Sequence, residues 1–330
     1  SNMAECHPVG FQWVVEAKKR GARIIHVDPR YTRTSAFSNR HIGIRGGTDV
    51  VLLGALIKYM LDNDLYFHDY VVAYTNAPMI VSEDYQDTED LDGLFSGFDP
   101  ETGKYITDSW QYEQKSGEKS PWNVERDETL QHPRSVFQIL KRHFARYTPE
   151  LVEETCGISQ DDFFYLANSI ADNSKPDRTT CFAYALGFTQ HTLGAQFIRT
   201  AAILQLLMGN VGRPGSGIMA LRGHASIQGS TDIPTLFHSL PGYLPMPSVD
   251  KQTWAEYCDE IRDTSQKGFW QLGENYAVSL MKSYWGDAAT AENQWGYDLM
   301  PRISGAHSTY QTLESMLEGN VEGYLVFGQN

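Results

Sequence analysis

The residues from Tyr184 to Asp232 constrain the fold most. They read as a short strand, a glycine-rich turn at Leu186-Gly187, a helix apolar on nearly every side, a second glycine-rich loop, and a polar segment, Leu221-Arg222-Gly223-His224. A helix without a broad polar face has to be covered all round, so it belongs inside a domain. An arginine and a histidine flanking a glycine soon after such a helix resemble groups pushed into a site. The chain before this stretch is expected to lead into it as an α/β domain, and the chain after it to form part of a second domain.

Upstream, Pro8 to Arg20 places Val9, Trp13, Val14 and Ala17 at the spacing of one helix face. Lys18, Lys19 and Arg20 suit its C-terminus, and Gly21 sits where a C-cap glycine belongs. Ala22 to Val27 then reads as a strand buried on at least one side, ending on Asp28-Pro29-Arg30. Helix, glycine, strand and a terminal acid make half of a doubly wound α/β unit. In such folds ligands lie over the carboxyl ends of the strands, where an acid commonly binds a ribose hydroxyl. Asp28 also suits the plain opening of a turn with Pro29, and local sequence leaves both readings open. The same holds for Arg45-Gly46-Gly47-Thr48-Asp49, ahead of the apolar helix Val50 to Leu61. A helix start behind two glycines offers free N–H groups to a phosphate or polar ring, while capping alone accounts for Thr48 and Asp49.

From 81 to 134 the composition changes, with Glu83, Asp84, Asp87, Glu89, Asp90 and Asp92 clustered and turn signals at Asp99-Pro100 and Ser120-Pro121. This is read as an inserted surface excursion with short strands, too long for a plain connector. Its charge run is a solvated face. Helices are expected over Ser135 to Tyr147, from Pro149 to Gly157, and from a capping-box-like Ser159 and Asp162 to Ala171. After His224, Pro241-Gly242, Pro245 and Pro247 mark a loop. Thr253 to Trp295 is aromatic-rich and helical in parts, with Trp270, Tyr276, Tyr284 and Trp285 as packing residues. Thr312 to Glu318 is a short helix, and Gly323 to Gly328 has the pattern of a buried strand. The two domains are drawn at 1–224 and 225–330.

A length of 330 residues suits about two domains. The net charge of -14 argues against nucleic acid or an anionic membrane as partner, since both need a basic surface. Cys6, Cys156, Cys181 and Cys258 lie far apart with no C-x-x-C pair. That argues against a zinc or iron–sulfur site built from this chain alone, and no metal ligand is assigned. No apolar run approaches the ~20 residues that span a bilayer, so membrane insertion is not expected. The chain opens on Ser1-Asn2-Met3 just before a helix and closes two residues after a core-strand pattern, which leads us to expect a fragment.

Among candidate sites, Leu186-Gly187-Phe188-Thr189-Gln190 directly follows a strand. A glycine there lets a ligand approach the backbone, and Gln190 can read a heterocycle with a donor and an acceptor; a tight turn with an exposed glutamine is the plainer reading. Gly215 to Ala220 matches G-x-G-x-x-A but runs on into Arg222-Gly223 instead of joining a strand to a helix, so the dinucleotide fingerprint is rejected. The fork of Arg222 suits a carboxylate and Gly223 leaves room for a small substrate, against the alternative of an arginine bracing two loops. His224 can move a proton, although a lone histidine is commonly structural.

The blocks SNMAECHPVGFQWVVEAKKRGARIIHVDPRYTRT, IRGGTDVVLLGALI, YALGFTQHTLGAQFIRTAAILQLLMGNVGRPGSGIMALRGHASIQGSTD, SLPGYLPMPS and GYLVFGQN resemble the large subunit of respiratory formate dehydrogenases. That family belongs to the molybdopterin oxidoreductases, with dimethyl sulfoxide reductase and periplasmic nitrate reductase as relatives. The resemblance covers essentially the whole chain. It implies an α/β fold like that of those enzymes: an incomplete doubly wound, Rossmann-like domain and part of a second α/β, molybdopterin-binding domain. It also implies two molybdopterin guanine dinucleotides around one molybdenum or tungsten, and a [4Fe–4S] cluster bound upstream of Ser1.

Carried over by motif, Asn2, Glu5 and His7 fall in a loop approaching a guanine dinucleotide. Asp28, Pro29, Arg30 and Thr32 lie over a guanosine, and Gly47, Thr48 and Asp49 form the second segment of that pocket. Leu186, Gly187 and Gln190 correspond to a segment on the pterin side. Gly328, Gln329 and Asn330 resemble a further cofactor loop. Arg222 matches the arginine that orients formate, and His224 stands where some relatives carry glutamine. The cysteine or selenocysteine that ligates the metal would lie upstream, so the chain alone is expected to be inactive. The implied partners are formate, an iron–sulfur electron-transfer subunit and a membrane cytochrome subunit, in the periplasm. Three alternatives remain: another molybdopterin enzyme such as nitrate reductase, a nicotinamide-dependent dehydrogenase, which needs a strand–GxGxxG–helix unit, and a non-catalytic α/β binding module.

Overall fold

Local chemistry sets most element boundaries of the computed structural model, which describes residues 1–117, 123–224, 226–262 and 269–326. The Ser120-Pro121 turn, the side chain of Trp270 and the loop Gly328 to Asn330 lie outside the described residues. The chain forms two compact units that meet between Leu221 and Arg222, a few residues before the expected division.

The first unit opens with α1 (Met3–Cys6), α2 (Pro8–Lys19), β1 (Ile25–Val27), α3 (Arg33–Phe37) and β2 (Arg40–Ile42). β1 and β2 pair in parallel, Ile25 beside Arg40 and Val27 beside Ile42. Next come α4 (Asp49–Asp62) and α5 (His68–Tyr74), then the excursion, whose short strands β3 (Phe98–Asp99) and β4 (Lys104–Tyr105) form an antiparallel hairpin. After it run α6 (Val136–Phe144), α7 (Pro149–Cys156) and α8 (Gln160–Asp172). The opening stretch supplies β5 (Cys181–Tyr184), a single turn α9 (Leu186–Thr189), α10 (Gly194–Leu207) and β6 (Gly217–Ala220), with β5 and β6 parallel.

The helix ends follow their caps. Ser135 Oγ accepts from Gln138 N at 3.3 Å, Thr148 Oγ1 from Leu151 N at 3.2 Å and Ser159 Oγ from Asp162 N at 3.2 Å. Each satisfies a first-turn N–H that the helix itself leaves unpaired. α7 stops at Gly157, whose φ of +71° is the left-handed conformation favoured by glycine. α4 is the centre of the core. It buries Leu52, Leu53, Leu56, Ile57, Met60 and Leu61 and packs against α6, α7, α8 and α10. Each such side chain contributes about 1.5–3 kcal/mol by leaving water.

Several expectations need correction. On α2 it is Phe11 that is buried, against Phe37 at 5.2 Å, while Val9 and Trp13 are 76% and 68% exposed. Helical spacing marked an apolar stripe, but which face turns inward is decided by the neighbour it meets. The parallel pairing is that of an α/β protein, yet among the described residues the strands form separate two-stranded pairs and not one doubly wound sheet. Gly217 to Ala220, read as part of a glycine-rich loop, is a strand that pairs in parallel with β5; like the loop reading, this is not the strand-to-helix turn of a dinucleotide fingerprint.

The second unit contains α11 (Ile227–Asp232), α12 (Trp254–Ile261), α13 (Gly273–Trp285), α14 (Thr309–Leu317) and several 3₁₀ turns. Leu240, Leu244, Tyr257, Ile261, Met281, Tyr297 and Met300 form its core, with Tyr276 and Trp285 packed against it and Tyr284 44% exposed. Its β structure among the described residues is limited to isolated bridges, so the expected α/β character is not seen there. Gly323 to Val326 does not form the expected strand, and Leu325 is 84% exposed. A strand needs a ladder for its backbone N–H and C=O groups, and no strand pairing among the described residues includes this segment. No helix of the described residues is long and apolar enough to cross a membrane.

Candidate functional site

At the carboxyl end of β1 and β2, a polar corner is built from residues far apart in sequence. Asp28 follows β1. Its Oδ1 accepts from Arg30 N at 2.9 Å and its Oδ2 from the Ser1 nitrogen at 2.9 Å. Burial pushes the Asp28 carboxyl up, but the hydrogen bonds donated to it, that of Arg30 N first, outweigh it and hold its pKa below the ordinary value. The Arg30 bond is the turn that Asp28-Pro29 signals, so the plain reading of Asp28 is realised. A carboxylate has about four acceptor positions, which leaves capacity for a ligand.

Proton positions at the corner follow from its acceptors. His26 Nε2 faces the Ser1 carbonyl at 3.0 Å and must donate to it. Its Nδ1 is then the acceptor, taking the proton of Ser35 Oγ at 2.8 Å, and Ser35 Oγ in turn accepts from Thr32 N at 2.8 Å. Burial lowers the His26 pKa, in keeping with a neutral ring. Alongside, Thr34 Oγ1 accepts from Ala4 N at 3.0 Å and donates to Asn2 Oδ1 at 3.1 Å. Asn2 Nδ2 donates to Glu5, which also pairs with Arg33 Nε at 3.2 Å. His7 lies half-buried between α1 and α2, while Pro29 and Arg30 are exposed. Thr32 N donates to Ser35 Oγ, which is half of a capping box; the other half is not made, and the buried Thr32 Oγ1 has no hydrogen-bond partner among the described residues.

The Gly47 turn is clamped to the end of α7. Arg45 N donates to Cys156 O at 2.9 Å, the Arg45 guanidinium to the carbonyls of Glu154 and Thr155, and Cys156 Sγ to Thr48 O at 3.5 Å. A cation on helix-terminal carbonyls is favoured by the helix dipole. Gly47 has φ +87°, a conformation side chains avoid, and a Cβ there would lie 3.9 Å from His191 Nδ1. Thr48 stands at the N-cap, yet its hydroxyl donates back to Arg45 O at 2.9 Å, so it does not cap α4. Burial raises the Asp49 pKa, partly offset by its own and Gly47's N–H groups and by His191, while Asp28 adds a raising contribution.

His191 thus brings the loop after α9 to the Gly47 turn. Leu186 is 62% exposed, Gly187 has open space at its Cα, and Gln190 is exposed with its N–H on Leu186 O at 3.0 Å. His191, Ser35 and the Arg45 clamp were not singled out from sequence. His191 follows Gln190 directly, but nothing local says that it faces Gly47.

In the second unit, Arg222 is exposed and its guanidinium has no hydrogen bond or ion pair among the described residues. The bracing alternative therefore finds no partner there. Gly223 beside it has open space. His224 Nε2 lies 2.9 Å from Ser230 Oγ, and its carbonyl accepts from Ile227 N at 3.0 Å at the entry to α11.

A family model described as Molybdopterin oxidoreductase matches residues 1–281, so the chain belongs to that family. Within the family, formate dehydrogenase major subunits resemble it over its whole length. The formate dehydrogenase-O major subunit of Escherichia coli (strain K12) is 46% identical over 100% of this chain and 32% of its own. The formate dehydrogenase major subunit of Haemophilus influenzae is 41% identical over the same shares, 100% and 32%. The formate dehydrogenase 2 subunit alpha (cytochrome c-553) of Nitratidesulfovibrio vulgaris is 40% identical, again over 100% and 32%. The chain thus spans about a third of the length of these curated relatives. Among solved structures, acetylene hydratase from Pelobacter acetylenicus aligns over 61% of this chain and 19% of its own at 17% identity, with a TM-score of 0.38, too loose to bear on the fold.

Proposed function

We propose that this chain supplies a nucleotide-binding corner and a substrate arginine to an enzyme that oxidises formate to carbon dioxide. One observation carries the cofactor part: a buried Thr32 hydroxyl without a partner among the described residues, in the loop that leaves the carboxyl end of a parallel strand. A buried hydroxyl left unmade costs about 1–3 kcal/mol, which a ligand acceptor or donor would recover. The donor set fits a guanine dinucleotide. Asp28 can accept from ribose hydroxyls, Thr32 can reach the sugar or phosphate, and the side-chain-free Gly47 lets the backbone come close. In this reading Asn2, Glu5, His7, Pro29, Arg30, Thr48 and Asp49 would approach the dinucleotide, and Leu186, Gly187 and Gln190 would serve the pterin side.

The parent enzyme would hold two such dinucleotides with molybdenum or tungsten and a [4Fe–4S] cluster. It would work in the periplasm with an iron–sulfur subunit and a membrane cytochrome subunit. The metal centre, when bound, supplies the two-electron redox chemistry. The chain's own contribution is orientation: Arg222 grips the formate carboxylate through two parallel N–H donors, and His224, tied to Ser230, stands two residues away to accept or give a proton. The exposed, unpartnered guanidinium supports this assignment.

The test is steady-state kinetics of Arg222→Lys in the full-length enzyme. A point charge cannot reproduce the fork, so KM for formate should rise and kcat/KM fall by about tenfold or more. An unchanged kcat/KM would remove Arg222 from the site.

A further inference from the structure

The excursion of the first unit carries a surface that the proposed reaction does not use. Phe95, Tyr105 and Trp110 form a mutual cluster, with centroids 5.6 Å apart for Phe95–Trp110, 5.5 Å for Tyr105–Trp110 and 6.3 Å for Phe95–Tyr105. All three are exposed, Trp110 to 41%, and Leu94 and Ile106 beside them to 41% and 60%. Large apolar side chains contiguous on a surface mark a contact site more often than scattered ones do.

This platform is held in place. Ile106 N donates to Gly97 O at 2.8 Å, and Trp110 Nε1 donates to Ser96 O at 2.9 Å. Ser96 Oγ bonds Ser109 Oγ at 2.9 Å. Asp87 and Asp90 both engage Arg142 of α6, and Glu89 engages Arg146, fastening the excursion to the core. Rings fixed before binding lose little entropy on contact.

The charge around the rings selects the partner. Residues 81–134 carry fourteen carboxylates against five lysines and arginines, so nine of the chain's fourteen net negative charges fall on them. Asp92, Glu101 and Asp108 flank the three rings in sequence, are exposed and make no ion pair among the described residues. Aromatic faces attract cations through their quadrupole, and unpaired carboxylates attract them through their charge. Both features favour the same class of occupant.

We propose that the Phe95–Tyr105–Trp110 face docks an arginine- or lysine-rich segment of a partner protein, its cationic groups lying over the rings and between the carboxylates. The experiment measures fluorescence anisotropy of a labelled nona-arginine peptide titrated with this chain at physiological salt. Saturable binding is expected, weakened about tenfold by Tyr105→Leu or Trp110→Leu, which remove a π face and keep an apolar side chain. Trp110→Phe retains a ring and should stay within about threefold, a reading that does not depend on the leucine variants folding. Combined Asp92→Asn, Glu101→Gln and Asp108→Asn should weaken binding and flatten its salt dependence. Equal affinity for the leucine variants would reduce the effect to diffuse attraction by an acidic chain and overturn the proposal. So would loss of binding in Trp110→Phe. Trp110-dependent binding to phosphatidylcholine vesicles without binding to the peptide would point to a lipid headgroup and overturn it as well.

Discussion

Asp28 in the first unit and Arg222 in the second are both charged candidate residues, yet the fold treats them differently. Around Asp28, hydrogen bonds from Arg30 and Ser1 and the His26–Ser35–Thr32 relay occupy most donors and acceptors. Asp28 keeps free acceptor positions, Thr32 Oγ1 has no partner among the described residues, and Gly47 carries no side chain. Arg222 has no such company among the described residues. A corner so fully paired is shaped before any ligand arrives and selects by the few groups it leaves free. An unpaired guanidinium selects by charge and by its planar fork, and its counter-ion has to come from the ligand. The first costs stability to disturb, the second only binding.

That contrast can be broken at three places. The largest effect is expected from Ser35→Ala. Ser35 is buried and serves both Thr32 N and His26 Nδ1, so its loss strands two groups and should lower unfolding free energy by about 2–3 kcal/mol in urea titration. No loss would mean that the corner is not held by its own hydrogen bonds.

A smaller effect should appear with pH. Burial places the His26 pKa below its ordinary value, and His143 shifts the same way for the same reason. Above about pH 6.5 the ring is neutral folded and unfolded, and it contributes nothing to pH dependence. Below that, the unfolded chain takes a proton that the folded one refuses, so stability declines until the pH reaches the folded pKa. The melting temperature of the first unit should therefore fall from pH 7 to 5.5, and His26→Gln should lessen the slope. A pH-independent melt would contradict the buried neutral ring. The smallest effect belongs to Arg222→Ala, expected to stay within about 0.5 kcal/mol of the unsubstituted chain in the same titration. A larger loss would show that Arg222 braces the fold after all.

Much of the fold was legible before the structure, and the parts that were share a scale. Ser135, Thr148, Ser159 and Gly157 act within one helical turn, so their neighbours in sequence are their partners in space. The candidate residues were legible as a set of blocks, and the structure gathers Asn2, Glu5, Asp28 and Thr32 through the bonds of Ser1, Thr34 and Ser35. It does not make Thr48 a side-chain cap, nor Gly323 to Val326 a strand. His191 beside Gly47, and the clamp of Arg45 on α7, join segments more than a hundred residues apart, for which no local pattern exists.

By itself, then, the sequence determined where most helices start and stop and that α4 would be an apolar core helix, because backbone capping and apolar content act over a few residues; α10, read as covered all round, leaves Ala195, Gln196 and Arg199 exposed. Only the tertiary structure decided that Trp13 faces outward, that the parallel strands pair two by two, and that Thr32 Oγ1 is left without a partner among the described residues. Those outcomes depend on which surfaces meet, and that is settled by the packing of distant segments against one another.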